Sequence, residues 1–251
     1  MEVFEKGQFR KTRRSCIILS FVLPCYNESR LIERCIKSIQ RAMCNLPHEI
    51  IVVDNGSTDN TVELAKGLGA TIIYEPHKGV TRARQAGFKA AKYNLISCID
   101  ADSELPDDWL EYALKAINKE HVIAASGPLV FYDITLFKRI AVFMFYSFGK
   151  LTHLIWPMLQ GGNCIIRRRA LELAGGFDVS VDFYGEDTNT VMRLTKIGKV
   201  NFDLNMWVYS SGRRLIEEGM IVIGLRYIAN YLWMHLVGRP WTTTYHDHRP
   251  N

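Results

Sequence analysis

Two aspartates separated by one alanine, Asp100 and Asp102, directly follow an apolar run, 95–99, that is typical of a buried strand. Residues two apart on a strand face the same side, so the two carboxylates are expected to lie together, with Ala101 on the opposite face. Mg²⁺ and Mn²⁺ prefer oxygen ligands and are commonly held by one or two carboxylates plus substrate phosphates. The pair therefore indicates a divalent cation site at a strand end, although two aspartates also occur together in ordinary surface turns. An EF-hand loop is excluded, because Leu105 stands at the sixth position, where that loop needs glycine.

Strand-like and helix-like segments alternate from residue 17 onward, and this predicts an α/β fold with a mostly parallel sheet. Asn27 is available to cap the first helix. Pro106 with two aspartates behind it predicts a further helix start just after the acidic pair. The predicted strands are 17–23, 49–53, 71–74 and 95–99, and the predicted helices are 31–39, 62–68, 81–92 and 106–117.

The composition is that of an ordinary globular protein: 251 residues, 48% of them hydrophobic, with a net charge of +5. This fits one large α/β domain or two closely joined halves. Much of the positive charge lies in the first fourteen residues, which suits either an anionic membrane surface or a solvated tail, and no nucleic-acid partner is predicted. The basic residues of this arm are Lys6, Arg10, Lys11, Arg13 and Arg14.

The compartment is inferred from the cysteines and from apolar run lengths. The six cysteines include no CxxC pair, which favours a reduced, cytoplasmic setting. The apolar run 17–23 is too short for a signal peptide and has no small-residue cleavage site after it. No transmembrane helix is predicted, because apolar stretches are interrupted before about twenty residues.

Two segments rich in aromatic residues, 134–159 and 215–241, also carry basic residues. This pattern suits helices in a membrane interface, and it suits equally well helices that pack on the protein's own core.

Further motifs lie on both sides of the acidic pair, and those before it follow the other predicted strands. They are Val22 to Glu28, Ile51 to Thr61 and Lys78 to Gly87 before the acidic pair, and Gly161–Gly162–Asn163, Gly175 to Asp178 and Gly185–Glu186–Asp187 after it. In this order the motifs resemble those of GT-A fold, family 2 glycosyltransferases. The resemblance implies a Rossmann-like mixed sheet flanked by helices, an irregular acceptor-side half and a C-terminal helical tail.

The resemblance also implies an activity and a division of the chain. A sugar would pass, with inversion, from a nucleotide-diphosphate sugar, expected to be a UDP-sugar, to a hydroxyl of a glycan or lipid-linked acceptor, assisted by Mg²⁺ or Mn²⁺. The expected parts are a basic arm (1–14), a nucleotide-sugar-binding half (15–103), an acceptor-binding half (104–205) and an amphipathic tail (206–251).

Each expected site residue is carried over from a matching motif. Asp102 is the expected metal ligand, and Asp187 is the expected general base. Asp187 stands with Glu186 where a helix should begin, which favours the ionised carboxylate, although two acids there could simply stabilise the helix end. The remaining expected contacts are Pro24, Glu28, Asp54, Arg84 and Asp100 for the donor, and Gly162, Asn163 and Glu186 for the acceptor.

Rival functions stay open at this point. A nucleotide-sugar or glycan-binding protein on the same fold would bind without turnover, and a nucleotidyltransferase would release pyrophosphate. No Gln-x-x-Arg-Trp motif is present, which favours single addition over polymer synthesis. The expected location is cytoplasmic, and peripheral contact with the cytoplasmic membrane face stays open. His246 and His248 are left outside the site.

Overall fold

The first half of the chain alternates strand and helix, as predicted, in the computed structural model, which describes residues 19–181 and 184–242. Within that first half the elements are β1 (Leu19–Cys25), α1 (Ile32–Met43), β2 (His48–Asp54), α2 (Thr61–Gly67), β3 (Thr71–Tyr74), α3 (Val80–Ala90) and β4 (Leu95–Ile99).

The second half contributes both strands and helices. These are α4 (Trp109–Ile117), β5 (Val122–Ser126), β6 (Leu129–Phe131), α5 (Leu136–Thr152), β7 (Asn163–Arg167), α6 (Arg168–Leu173), α7 (Glu186–Leu194), β8 (Lys199–Phe202), β9 (Val208–Ser210), α8 (Arg213–Glu217) and α9 (Met220–Val237).

One seven-stranded sheet joins the two halves, in the order β3-β2-β1-β4-β7-β5-β8. Strands β1 to β4 are parallel, whereas β7 runs antiparallel between β4 and β5. The expected boundary near residue 104 therefore falls between strands that share a sheet. β6 and β9 form a second, two-stranded sheet, so residues 208–210 belong to it and not to a helical tail.

The sheet is mixed and is covered by helices on both faces, as the fold class predicted. β1 is buried along almost its whole length, because helices cover both of its faces. On one side Phe21 packs against Trp109, with ring centroids 6.0 Å apart. On the other side α3 lies so close to β1 that a Cβ at Gly87 would come within 2.3 Å of Val22. The strand ends are therefore held on a rigid base.

Asn27 does not cap the first helix. Its φ is +52°, and its Oδ1 accepts a hydrogen bond from the Thr58 N–H at 2.8 Å. The helix begins later, at Ile32, without a side-chain cap. Asn27 instead links the end of β1 to the loop that follows the neighbouring strand, β2.

The five cysteines that the structure describes are free thiols, and four of them are buried. Cys16 and the basic arm lie outside the described residues.

The two aromatic-rich segments form helices whose apolar side chains are largely exposed. Most of the large side chains of α5 face outward, and so do most of those of α9. α9 has 18 residues, of which 17% are buried in the structure. By length and composition alone it is long and apolar enough to cross a membrane. No other helix among the described residues meets this criterion, and the sequence expectation of no transmembrane helix stays a prediction.

Candidate active site

A cleft of about 510 Å³ opens at the carboxyl ends of β1 and β4, where ligands collect in α/β sheets. Charged side chains from both halves of the chain line it. Five are acidic and four are basic: Glu28, Asp100, Asp102, Glu186, Asp187, Lys78, Arg84, Arg213 and Arg214.

Asp100 and Asp102 both line this cleft, but a turn places them there and not the strand. β4 ends at Ile99, and the Ser103 N–H donates to the Asp100 carbonyl at 3.0 Å. Ala101 is buried in the core beneath the turn. The expectation that all three residues continue the strand is therefore wrong, although the two carboxylates do share a side.

Arg84 lies in the middle of three carboxylates. Its Nη2 is 3.1 Å from Asp100 Oδ1, and its Nη1 is 3.2 Å from Asp187 Oδ1 and 3.4 Å from Glu186 Oε1. The side chain is 5% exposed. Burial alone would lower the pKa of Arg84, but the facing charges of Asp187, Asp100 and Glu186 raise the pKa above its ordinary value. The guanidinium is thus a fixed counter-charge between the turn after β4 and α7, and it also lines the cleft, so its expected contact with the donor stays a prediction.

The pKa values of Glu186 and Asp187 are both raised, although their position at the start of α7 would favour the ionised carboxylates. Burial, and then the charge of Asp187, raise the pKa of Glu186 to about 8. Burial also raises the pKa of Asp187, against the opposing effects of Arg84 and the Gly161 N–H. Burial outweighs the helix terminus here, because removing a carboxylate from water disfavours its charged form.

Gly161 and Gly162 leave room for carboxylates. A Cβ at Gly161 would lie 2.0 Å from Asp187 Oδ1, and one at Gly162 would lie 2.0 Å from Asp100 Oδ2. The Gly161 N–H donates to Asp187 Oδ2 at 2.9 Å. The absence of side chains at these two positions therefore brings the backbone close to the acidic side chains. Gly162 still lines the cleft.

Asn163 has a structural role, and this corrects its expected contact with the acceptor. It is fully buried, and its Oδ1 accepts from Trp109 Nε1 at 3.0 Å. Its Nδ2 donates to the carbonyls of Pro128 and Met206. All of these polar atoms face the interior, so the side chain has no route to a substrate in the cleft.

On the donor side, Pro24 and Glu28 line the cleft, whereas Asp54 lies behind it. Asp54 Oδ1 accepts from the Ser57 N–H at 3.0 Å and so shapes the turn after β2. Its neighbour Asn55 lines the cleft in its place.

Arg213 is a site residue that the sequence reasoning missed. Its Nη1 and Nη2 lie 3.1 and 2.5 Å from the two carboxylate oxygens of Glu28, and Nη2 also lies 3.1 Å from Asp102 Oδ2. The available signal was the run Ser210–Ser211–Gly212–Arg213–Arg214, which follows a short apolar strand as the other motifs do.

The motif Gly175 to Asp178 lies outside the cleft and forms the turn after α6, with Phe177 packed against Phe88. His246 and His248 lie outside the described residues.

A divalent cation fits the donor set that faces this cleft. The facing groups are carboxylate oxygens, which are the ligands that Mg²⁺ and Mn²⁺ prefer, and a site with one or two carboxylates relies on substrate phosphates for the rest. Among the described residues no group of three His, Cys, Asp or Glu side chains converges to bind a metal without help. Asp102, which lines the cleft, is a residue that could hold such a cation.

Comparison with solved structures places this fold among GT-A glycosyltransferases. A mannosyltransferase from Pyrobaculum calidifontis, in complex with GDP-Man and Mn²⁺, superposes with a TM-score of 0.68 and 20% identity over 87% of this chain and 64% of that chain. Glucosyl-3-phosphoglycerate synthase from Mycobacterium tuberculosis, in complex with Mn²⁺, UDP and phosphoglyceric acid, gives a TM-score of 0.63 at 19% identity over 88% of this chain and 78% of that chain.

The sequence narrows this class to one family. The model of glycosyl transferase family 2 matches residues 20–174, and the chain belongs to that family. Poly-beta-1,6-N-acetyl-D-glucosamine synthase from Staphylococcus epidermidis is 31% identical over 113 residues, which is 43% of this chain and 27% of that protein. Glycosyltransferase AglE from Haloferax volcanii is 27% identical over 45% of this chain and 40% of its own length. The chain thus spans well under half the length of these relatives.

Proposed function

We propose that this protein transfers a single sugar, with inversion, from a nucleotide-diphosphate sugar to a hydroxyl of a glycan or lipid-linked acceptor, and that it does not build a polymer. UDP-sugars are the expected donors. The observation that carries the proposal is the position of Asp187. Its carboxylate lines the same cleft as Asp100 and Asp102, and the Gly161 N–H and Arg84 hold it in place. An inverting transfer needs a base on one side of the anomeric carbon and a stabilised leaving group on the other.

Asp187 is the proposed base for the acceptor hydroxyl. Its raised pKa makes it a stronger base than an ordinary aspartate, and a base works best when its pKa approaches the working pH. Burial and the charge of Asp187 also raise the pKa of Glu186, so at a given pH it carries less negative charge next to Asp187 than an ordinary glutamate would. Arg84 is a positioning residue, because it holds Asp187 and Asp100 in one arrangement.

The leaving group is the proposed task of the opposite wall. Asp102 would hold Mg²⁺ or Mn²⁺, and when bound the cation would neutralise the diphosphate as a Lewis acid. Pro24, Glu28 and Asp100 line the proposed donor side, and Asp54 supports that side through its turn. Gly162 and Glu186 line the proposed acceptor side.

The exposed apolar side chains of α5 and α9 support the proposal that the protein acts at the cytoplasmic face of a membrane. Phe137 is 78% exposed and Leu151 78%, which is unusual for such large apolar side chains in water. A membrane surface is also where a lipid-linked acceptor would be found.

Transfer can be tested by incubating the protein with UDP-sugars, GDP-sugars, Mn²⁺ and candidate glycan or lipid-linked acceptors, and following nucleotide release. We expect a nucleoside diphosphate as product and the inverted anomer by NMR. Asp187→Asn should lower the rate by about 10²–10⁴-fold, the usual contribution of a general base, while nucleotide binding persists. Asp178→Asn is the matched control, because Asp178 lies in a turn outside the cleft.

Other products would contradict the proposal in different ways. Pyrophosphate release would identify a nucleotidyltransferase. Binding of donor without turnover under every condition would favour the non-catalytic rival. An Asp187→Asn variant that keeps its full rate would refute the assignment of the base.

A further inference from the structure

Arg213 lies where a cation bound to Asp102 would have to compete with it. The guanidinium bridges Glu28 and Asp102, with nitrogen to oxygen distances of 2.5 and 3.1 Å from Nη2. Glu28 is 4% exposed and Asp102 15%, so these negative charges are partly withdrawn from water. A positive group is needed beside them, and in this arrangement Arg213 supplies it.

Arg84 and Arg213 both pair with carboxylates of the cleft, and Arg213 is the more exposed of these two arginines. Arg84 is 5% exposed and pairs with three carboxylates, so moving it would leave several buried charges uncompensated. Arg213 is 23% exposed and pairs with Glu28 and Asp102, and its guanidinium is closer to the solvent. Its long side chain can therefore change partners at lower cost.

The backbone that carries Arg213 is fixed, which limits any change to the side chain. The Gly212 N–H donates to Asp133 Oδ1 at 2.6 Å, and the Ser211 hydroxyl donates to Asp133 Oδ2 at 2.8 Å. A Cβ at Gly212 would lie 2.7 Å from Ile134 Cγ2, so this turn is also tightly packed. The guanidinium is thus presented to the cleft from an anchored base.

We propose that Arg213 is a donor-binding residue that exchanges carboxylates for phosphate: it balances Glu28 and Asp102 without donor, and it binds the diphosphate when the donor enters, which frees Asp102 for the cation. A guanidinium suits both partners, because its planar fork binds carboxylate and phosphate equally in bidentate fashion. This inference rests on the proposed function, since it assumes a diphosphate in the cleft.

The exchange predicts opposite effects on two ligands, which mere structural support would not produce. Removing Arg213 should make Mn²⁺ alone bind several-fold more tightly, because a competing positive charge is gone. The same change should weaken binding of UDP in the presence of Mn²⁺ by roughly 10-fold or more, the size of a charged hydrogen bond. Arg213→Lys keeps the charge but loses the fork, so it should restore the Mn²⁺ affinity of the parent and only part of the UDP affinity.

The experiment is titration of the purified full chain with Mn²⁺ by electron paramagnetic resonance, followed by calorimetric titration with UDP and with GDP at saturating Mn²⁺. The variants are Arg213→Ala and Arg213→Lys. Arg169→Ala is the control, because Arg169 is 77% exposed and pairs with Glu172, outside the cleft. The Lys variant keeps the test valid if the Ala variant fails to fold.

The outcomes separate this inference from the function on which it rests. If the parent binds UDP or GDP with Mn²⁺ but Arg213→Ala and Arg213→Lys bind equally well, the role of Arg213 is refuted and the proposed function stands. Weaker Mn²⁺ binding in Arg213→Ala would show that Arg213 supports the metal site, and that result also refutes the exchange. If the parent binds neither nucleotide, both proposals fail.

Discussion

At the scale of single residues, the site depends on the absence of a side chain at Gly161. The Gly161 backbone lies against Asp187 and Arg84, and an added Cβ would come within 2.0 Å of Asp187 Oδ1. Gly161→Ala should therefore displace the proposed base. We expect kcat to fall by roughly 10²-fold, since displacements near 1 Å can cost that much.

The measurement for Gly161→Ala is steady-state transfer, with folding checked by circular dichroism. Gly224→Ala is the matched control, because a Cβ at Gly224, which lies in α9, meets nothing within 4 Å. Equal loss of rate in both variants would mean that the Gly161 contact has no special part in the reaction.

Glu186 should make stability depend on pH. Its pKa is about 8 in the folded protein and 4.5 in its ordinary state, so between these values the folded chain binds a proton that the unfolded chain releases. The resulting stabilisation is complete below about pH 4.5 and is lost as the pH rises through 8. Glu186→Gln, which cannot ionise, should melt at a higher temperature than the parent at pH 9 and differ less at pH 5.

Thermal unfolding across this pH range tests the role of Glu186. A change of 1 kcal/mol corresponds to about 2–4 °C in a protein of this size. Glu63→Gln serves as the control, because Glu63 is an exposed residue of α2. Parallel curves for the parent and Glu186→Gln would contradict the raised pKa.

At the scale of the elements, the alternating strands and helices up to β4 follow from hydrophobic periodicity, which is a local property. The insertion of β7 between β4 and β5 does not, because that pairing joins residues such as Cys98 and Cys164 that are far apart in sequence. The same limit applies to the site. The motifs indicate each of its acidic residues separately. Only the folded structure shows that Arg84 is a counter-charge shared by several of them and that Arg213 pairs with Asp102.

Asn163 shows how one side chain can join several elements. It begins β7 and binds Trp109 of α4 together with the backbone at Pro128 and Met206. Asn163→Ala should lower the free energy of unfolding by about 1–3 kcal/mol, because the buried partners lose their hydrogen bonds. The remaining folded protein should keep the parent KM for the acceptor.

Urea unfolding and acceptor kinetics together decide between the two roles of Asn163. Asn201→Ala is a suitable control, since the Asn201 side chain makes one hydrogen bond within the described part of the chain, a long one of 3.4 Å to the Ala116 carbonyl. A variant of Asn163 with parent stability and a raised acceptor KM would restore the original interpretation of this residue as an acceptor contact.

At the scale of the whole molecule, the exposed apolar residues concentrate on two helical regions that touch. The Tyr231 hydroxyl of α9 donates to the Pro157 carbonyl at 3.2 Å, just beyond α5. Lys138 and Arg139 stand near the start of α5. Apolar side chains beside basic groups are the combination that binds anionic lipid surfaces. Packing on the protein's own core, the other sequence interpretation, accounts for few of these side chains.

Membrane contact can be tested by flotation of the protein with phosphatidylcholine vesicles that contain phosphatidylglycerol. Replacing Phe137, Phe148 and Leu151 by serine should reduce binding by at least about tenfold, because each fully buried side chain of this kind contributes roughly 1.5–3 kcal/mol. Tyr74, Leu173 and Val179 are exposed apolar residues outside the two regions, and replacing them by serine should leave binding unchanged. Since burial of apolar surface is not screened by salt, the parent should stay bound in part at high ionic strength. Binding that disappears completely in salt, or that survives the changes in α5, would contradict insertion of this helix into the lipid surface.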